Sequence, residues 1–449
     1  MTNFITLVEE NLLYGILIII WSLFLWKYYL SHRQKSLVMR LVKLPDVVER
    51  IMTEDVYNKS RSYHLDTLNF NNVAKFYVLV VTTVCLLSLM YYHLWSWSIK
   101  VVKYFGFDEE NEMLVSVVCM FFINIIYDIV HLPLNIYSKF VVEQKHGFNK
   151  ETPALYIKNT LLAFAVRETI APPILCALIW IIKNGGDYFY FYLWIFMIFV
   201  YIFMIILYPV AIAPLFDKYT PLPDEELKKK IEALAASINY PLTKIFVVNK
   251  SKRTTHNNAY LYGFYKFKRI VLFDTLIKNY SQLEKSETET KEPETEAKGC
   301  ETDEILAILA HELGHWKCNH TLKLFFIAQV ATMLNIFLFA KLVDYSPMYH
   351  AFGFVDSKPV FIGYSILSMF ILAPFNTLLN FLTTVIGRRF EFEADRFAMI
   401  LGYGAALKRS LIKLEVDNLT FPLYDKLYSG FHHNHPTVLE RLEALDKED

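Results

Sequence analysis

Long apolar runs set the outer limits on what this chain can become. Residues 12–30 carry a single charge, Lys27, near the end of the run, and residues 188–210 carry none. A helix of about 20 apolar residues crosses the hydrocarbon core of a bilayer. Lipid offers no partner to backbone polar groups, so spanning segments are helical or close into a barrel. Five further runs of this kind cover residues 73–97, 113–135, 160–182, 322–342 and 360–382. The expected fold is predominantly α and integral to a membrane, with seven transmembrane helices. The first run is not a cleavable signal, because no Lys or Arg precedes it and it is too long; it reads as an anchor.

Loop charge sets the expected orientation. Arg33, Lys35, Arg40, Lys43, Arg50, Lys59 and Arg61 follow the first run, whereas Glu9 and Glu10 are the only charges before it. Positive loops stay cytosolic, which puts the N-terminus in the lumen. Seven spans then leave the C-terminus, and the loop over residues 217–321, in the cytosol. Lys and Arg total 45, as do Asp and Glu, so the charge balance does not recommend a nucleic acid as partner. Membrane lipids are the surroundings.

The chemistry is carried by His311-Glu312-Leu313-Gly314-His315. Positions four apart share a helix face. His311 and His315 can therefore hold one Zn2+, with Glu312 beside the open coordination position as a general base for water. The subclass that extends this helix to a third histidine is excluded, because Cys318 and Thr321 stand where it needs glycine and histidine. His320 is out of register for it. The best source of a third ligand is Arg388-Arg389-Phe390-Glu391-Phe392-Glu393-Ala394-Asp395. Glu391 and Asp395 share a face and Glu393 points away from both. One carboxylate can bind metal while the other orients a ligating histidine. An ordinary charged helix has the same composition; the preceding zinc motif tips the balance.

Polar residues also enter the spans. Asn124, Asp128, His131 and Asn135 form a stripe on the third, Arg167 and Glu168 lie in the fourth, Asn335 in the sixth, and Asn376 and Asn380 in the seventh. Such residues face protein or a watery cavity, and their spread over four helices favours a hydrated interior over a single seam. Residues 140–150 are too polar to span, and Pro209 is expected to end the fifth helix. From Pro221 the chain reads as soluble: a helix over 225–237, strands over 244–248 and 269–276, an acidic low-complexity run over 284–302 that cannot bury a core, a helix near 405–414 and a last one from Pro436. Thr302 or Asp303 is the expected cap of the His311 helix. The five cysteines form no CxxC and no disulfide framework. The end, Leu445-Asp446-Lys447-Glu448-Asp449, is not a prenylation signal.

With these residues in view, the chain resembles the type I CAAX prenyl proteases, seven-span zinc metalloproteases of the endoplasmic reticulum. The carriers are residues 143–150, 213–219, 258–263, 269–276, 311–316, 388–398 and 435–441. Gln144, Glu393 and the acidic run are departures from the family pattern. The resemblance implies a ring of seven helices around a large water-filled chamber, capped by a cytosolic-face zincin-like domain with a small β-sheet. In that scheme residues 1–220 hold helices one to five, 221–321 the first part of the protease domain, 322–383 helices six and seven, and 384–449 its second part. It implies His311, His315 and Glu391 as ligands of one Zn2+, Glu312 as base and Asp395 behind a ligand. It also implies His435 and Arg441 beside the metal, and Asn258 and Ala259 on the strand that pairs with substrate. The implied substrates are farnesylated CAAX proteins or peptides, which lose their last three residues and in some members are cut a second time upstream. A quality-control zinc protease of related fold has fewer spans. An intramembrane protease would embed its zinc helix in an apolar run. A transporter or receptor would have no reason to bind zinc.

Overall fold

The computed structural model describes residues 11–263, 267–280 and 298–448. Among the described residues six helices are long and apolar enough to cross a membrane, and a bent pair, taken as one span, makes a seventh. The chain opens with α1 (Leu12–Arg40) and α2 (Glu54–Leu87). The second span was expected over 73–97, but α2 begins at Glu54 and stops at Leu87. Its first turns are charged (Glu54, Asp55, Lys59, Arg61) and stand in water, where helix formation needs no apolar run. Leu89 then takes a left-handed conformation, φ 51°, and the chain restarts as α3 (Met90–Tyr104).

Next come α4 (Glu112–Tyr137), α5 (Pro153–Asn184) and α6 (Phe189–Leu207). α4 continues as a π-helical stretch over Ser138–Glu143, so the polar segment expected outside the helix begins inside it. Pro209 does not end the fifth span either. Tyr208–Ile212 is π-helical and leads into Ala213–Phe216. The wider turn takes up the ring and the missing N–H that would break an α-helix.

A four-stranded sheet follows, in the order β1 (Tyr219–Pro221), β2 (Leu242–Val248), β4 (Lys268–Phe273), β3 (Ala259–Tyr262), with α7 (Glu225–Ser237) between β1 and β2. β2 and β4 are parallel, and β3 lies antiparallel to β4 with Ala259 opposite Leu272. β3 is the edge. The second expected strand is cut short because Asp274–Leu276 forms a 3-10 turn, whose Asp274 carboxylate accepts the amides of Lys250, Ser251 and Thr275. Of the acidic run, residues 284–297 lie outside the described residues. Its end is ordered structure rather than linker: Cys300 is buried and bridges to Ile277, and the Gly299 amide donates to the buried Asp417.

The protease half is built on α8 (Thr302–Lys317), followed by α9 (His320–Leu342). The cap of α8 is Glu301, not Thr302 or Asp303. Glu301 and Glu304 exchange side-chain and backbone hydrogen bonds in a capping box. The seventh span is α10 (Val360–Ile366), a π segment over Leu367–Ile371, and α11 (Ala373–Ile400), bent by 59°. α11 runs unbroken from membrane depth past Glu391, across the boundary expected at 383. The chain ends with α12 (Gly404–Asp417), α13 (Lys426–His432) and α14 (Val438–Glu448). α14 starts after Pro436, because Thr437 and Glu440 cap it reciprocally.

The polar stripe divides. The Asp128 carboxylate accepts two bonds from the Arg167 guanidinium, at 3.1 and 2.6 Å, and Asn124 donates to Glu168 at 2.9 Å, tying α4 to α5. Asp128 and Arg167 still leave about a third of each side chain exposed. Asn335 and Asn376 line a separate cavity of about 280 Å³ between α5, α6, α9 and α10.

Candidate metal centre

α8 is buried almost all round, from Ile305 through His311 and again at Leu313 and Gly314. Gly314 has a definite use. A Cβ there would sit 3.1 Å from both the Cα and the carbonyl oxygen of Ala394 on α11. Without one, the two helices close until His311 and His315 meet Glu391.

His311 Nε2, His315 Nε2 and the Glu391 carboxylate converge, with donor atoms of all three within 4.8 Å of one another. The Nε2 atoms lie 3.1 Å apart. His311 Nε2 is 3.5 Å from Glu391 Oε2 and His315 Nε2 is 3.3 Å from Oε1. Asp395 Oδ1 lies 2.8 Å from His311 Nδ1. A carboxylate only accepts, so the proton is on Nδ1 and the Nε2 lone pair faces the centre. Arg441 grips Asp395 from behind through Nε, at 2.7 Å, and a second nitrogen, and its third nitrogen stands 3.8 Å from Glu391. His435 Nδ1 approaches Glu391 Oε2 to 2.8 Å but out of line, and that buried oxygen has no hydrogen bond. The His435 side chain is 61% exposed. Glu312 is half-buried and within electrostatic reach of Arg441.

This donor set fits Zn2+. Two imidazole lone pairs and an unpartnered carboxylate oxygen face one another, an arrangement that needs a cation between them. Burial opposes charge on His311, yet the carboxylates of Asp395 and Glu391 raise its pKa to about 9.

Asn258 and Ala259 are not in this cluster. Ala259 opens the edge strand β3, which packs beside α8, and Asn258 stands just before it. The Asn258 carbonyl accepts the Phe273 amide and its side chain accepts the Ala259 amide.

The protein matches two family models end to end. Residues 34–218 match the CAAX prenyl protease N-terminal model of five membrane helices, and residues 221–449 match peptidase family M48. This chain belongs to the type I CAAX prenyl protease family. It is 42% identical over 454 residues to the CAAX prenyl protease 1 homologs of Mus musculus and Homo sapiens, which cover 97% of the chain and 96% of each relative. The Arabidopsis thaliana homolog is 38% identical over 95% of the chain and 96% of its own length. The crystal structure of S. mikatae Ste24p superposes with a TM-score of 0.87 at 34% identity, over 96% of this chain and 98% of that one. The protein is a multi-pass membrane metalloprotease.

Two residues that the sequence analysis named without giving them a role stand close to the centre. His320 Nδ1 lies 3.0 Å from His315 Nδ1, and His320 Nε2 lies 3.0 Å from Glu393 Oε2. The one local signal was Asn319, which takes φ 57° and folds the start of α9 back on His315.

Proposed function

We propose that this protease removes the last three residues of farnesylated CAAX proteins at the cytosolic face of the endoplasmic reticulum membrane. The observation that carries the reading is the convergence of His311, His315 and Glu391, next to Glu312, in a chain similar over its length to proteins named CAAX prenyl protease 1. His311, His315 and Glu391 hold one Zn2+. When bound there, zinc supplies a Lewis acid that polarises water and the scissile carbonyl. Glu312 takes the proton from the attacking water and returns it to the leaving amine. His435, whose side chain is 61% exposed, turns from Glu391 to donate to the oxygen that gains charge in the transition state. Arg441 keeps Asp395, and through it His311, in one orientation. The outer edge of β3, which opens at Ala259 next to Asn258, holds an extended peptide by main-chain hydrogen bonds.

The test is incubation of purified protein with a farnesylated CAAX peptide, read by mass. Loss of the C-terminal tripeptide, abolished by a chelator, is expected. An uncut prenylated peptide, or equal cutting of unrelated unfolded membrane proteins, would replace this reading with quality control. For orientation, a glycosylation acceptor added near Thr2 should be modified and one near Glu289 should not.

A further inference from the structure

The two histidines of the centre are held in different ways. Asp395 bonds His311 directly. Behind His315, among the described residues, stands a second imidazole, His320, and only then Glu393. We propose that His320 and Glu393 are positioning residues that fix the tautomer and ring plane of His315 for the metal. This rests on the reading of His315 as a ligand.

The proton assignment runs inward from the end of the chain. The Glu393 carboxylate is acceptor-only, so His320 Nε2 carries the hydrogen. In a neutral ring His320 Nδ1 is then a lone pair, and it accepts from His315 Nδ1–H. His315 Nε2 is left as the lone pair facing Glu391 and His311. Each link fixes the next, and the opposite tautomer of His315 would set two lone pairs against each other.

The surroundings hold the relay still. The His320 side chain is 1% exposed. It stacks on Phe390, the neighbour of Glu391, with centroids 4.2 Å apart and planes within 6°. Glu393 is flanked by Arg389 at 3.4 Å and Lys323 at 3.9 Å, which keep its negative charge in place. Glu391 and Glu393 are two apart on α11 and so face different ways, at about 100° per residue. Glu393 therefore cannot join Glu391 at the metal, but it can reach His315 through a ring supplied by α9.

Ligand-orienting partners of this kind typically alter metal affinity by about 10- to 100-fold. The measurement is zinc affinity by chelator competition on the purified full-length protein, with thermal unfolding of the metal-free form alongside. His320→Phe keeps the stack on Phe390 but cannot accept from His315. Glu393→Leu keeps the bulk but cannot accept from His320. Both should bind zinc about 10- to 100-fold more weakly, with metal-free unfolding unchanged. Glu393→Gln retains an acceptor oxygen and should recover most of the affinity. His315→Ala is the control, and its keeping wild-type affinity would sink the ligand reading rather than the relay. Wild-type affinity in Glu393→Leu, or equal losses in Glu393→Gln and Glu393→Leu, would overturn the relay. If His320→Phe does not fold, the Glu393 pair decides alone.

Discussion

α6 and α8 are both rich in apolar residues, and they live in opposite ways. α6 has no charged residue and buries only Leu193. α8 carries acids, a lysine and two histidines, and buries nine of its residues. The difference is the solvent. The apolar surface of α6 meets lipid, which is as apolar as a leucine, so burial against protein adds little. α8 is not among the helices that could span, and its apolar surface is driven into contact with α11, α12 and the sheet. Positional accuracy is therefore concentrated in the half of the protein that water compresses. Across the membrane helices only 6% to 17% of the residues in each apolar window are buried.

If that contrast holds, forcing α8 from α11 should do most harm to the metal centre. Gly314→Val puts two methyl groups against the Ala394 backbone, where even a Cβ has 3.1 Å. The expected result is loss of bound zinc and a destabilisation of about 1–3 kcal/mol, read by metal analysis and thermal unfolding. Full metal content would mean the helix contact is softer than described.

The next effect is chemical. His435→Phe should retain zinc and lower turnover by about a hundred- to a thousandfold, the cost of one lost oxyanion donor. Wild-type turnover would return this residue to the surface.

A matched pair of truncations then tests the contrast itself. Leu309→Ala, in the buried face of α8, should cost about 2–5 kcal/mol in unfolding. Phe199→Ala on α6, 66% exposed, should cost within about 0.5 kcal/mol. Similar losses at both would show that the membrane half is packed as tightly as the other.

The smallest effect concerns the acidic run. Deleting residues 284–297 should leave unfolding and peptide cleavage within about 0.5 kcal/mol of the full chain. Extending the cut through Gly299 should cost about 1–3 kcal/mol, because the buried Asp417 loses a donor. A severe loss of activity from the shorter deletion, with zinc intact, would make the run part of the site.

The spans and the zinc motif were legible because each is written within one stretch: about 20 apolar residues in a row, or two histidines four apart. Features that depend on a second segment were not. Leu89 breaks the second span without a proline or glycine to announce it. Pro209 looks like a stop, yet a π turn absorbs it. Glu301 outdoes the better capping types that follow it because Glu304 answers it across one turn. His320 and Glu393 stand 73 residues apart, and only the packing of α9 on α11 makes them neighbours. A strand at Asn258 and Ala259 was implied only by the family resemblance, and the edge position of β3 follows from β4 lying between it and β2.

The central claim is that His311, His315 and Glu391 hold one catalytic zinc and that Glu312 does chemistry without holding it. Metal analysis and turnover of the wild type, Glu391→Ala and Glu312→Gln test both parts together. One zinc per chain is expected in the wild type and in Glu312→Gln, with turnover in the latter down by at least about a hundredfold, and little or none in Glu391→Ala. Full zinc in Glu391→Ala, or an empty Glu312→Gln, would contradict the account.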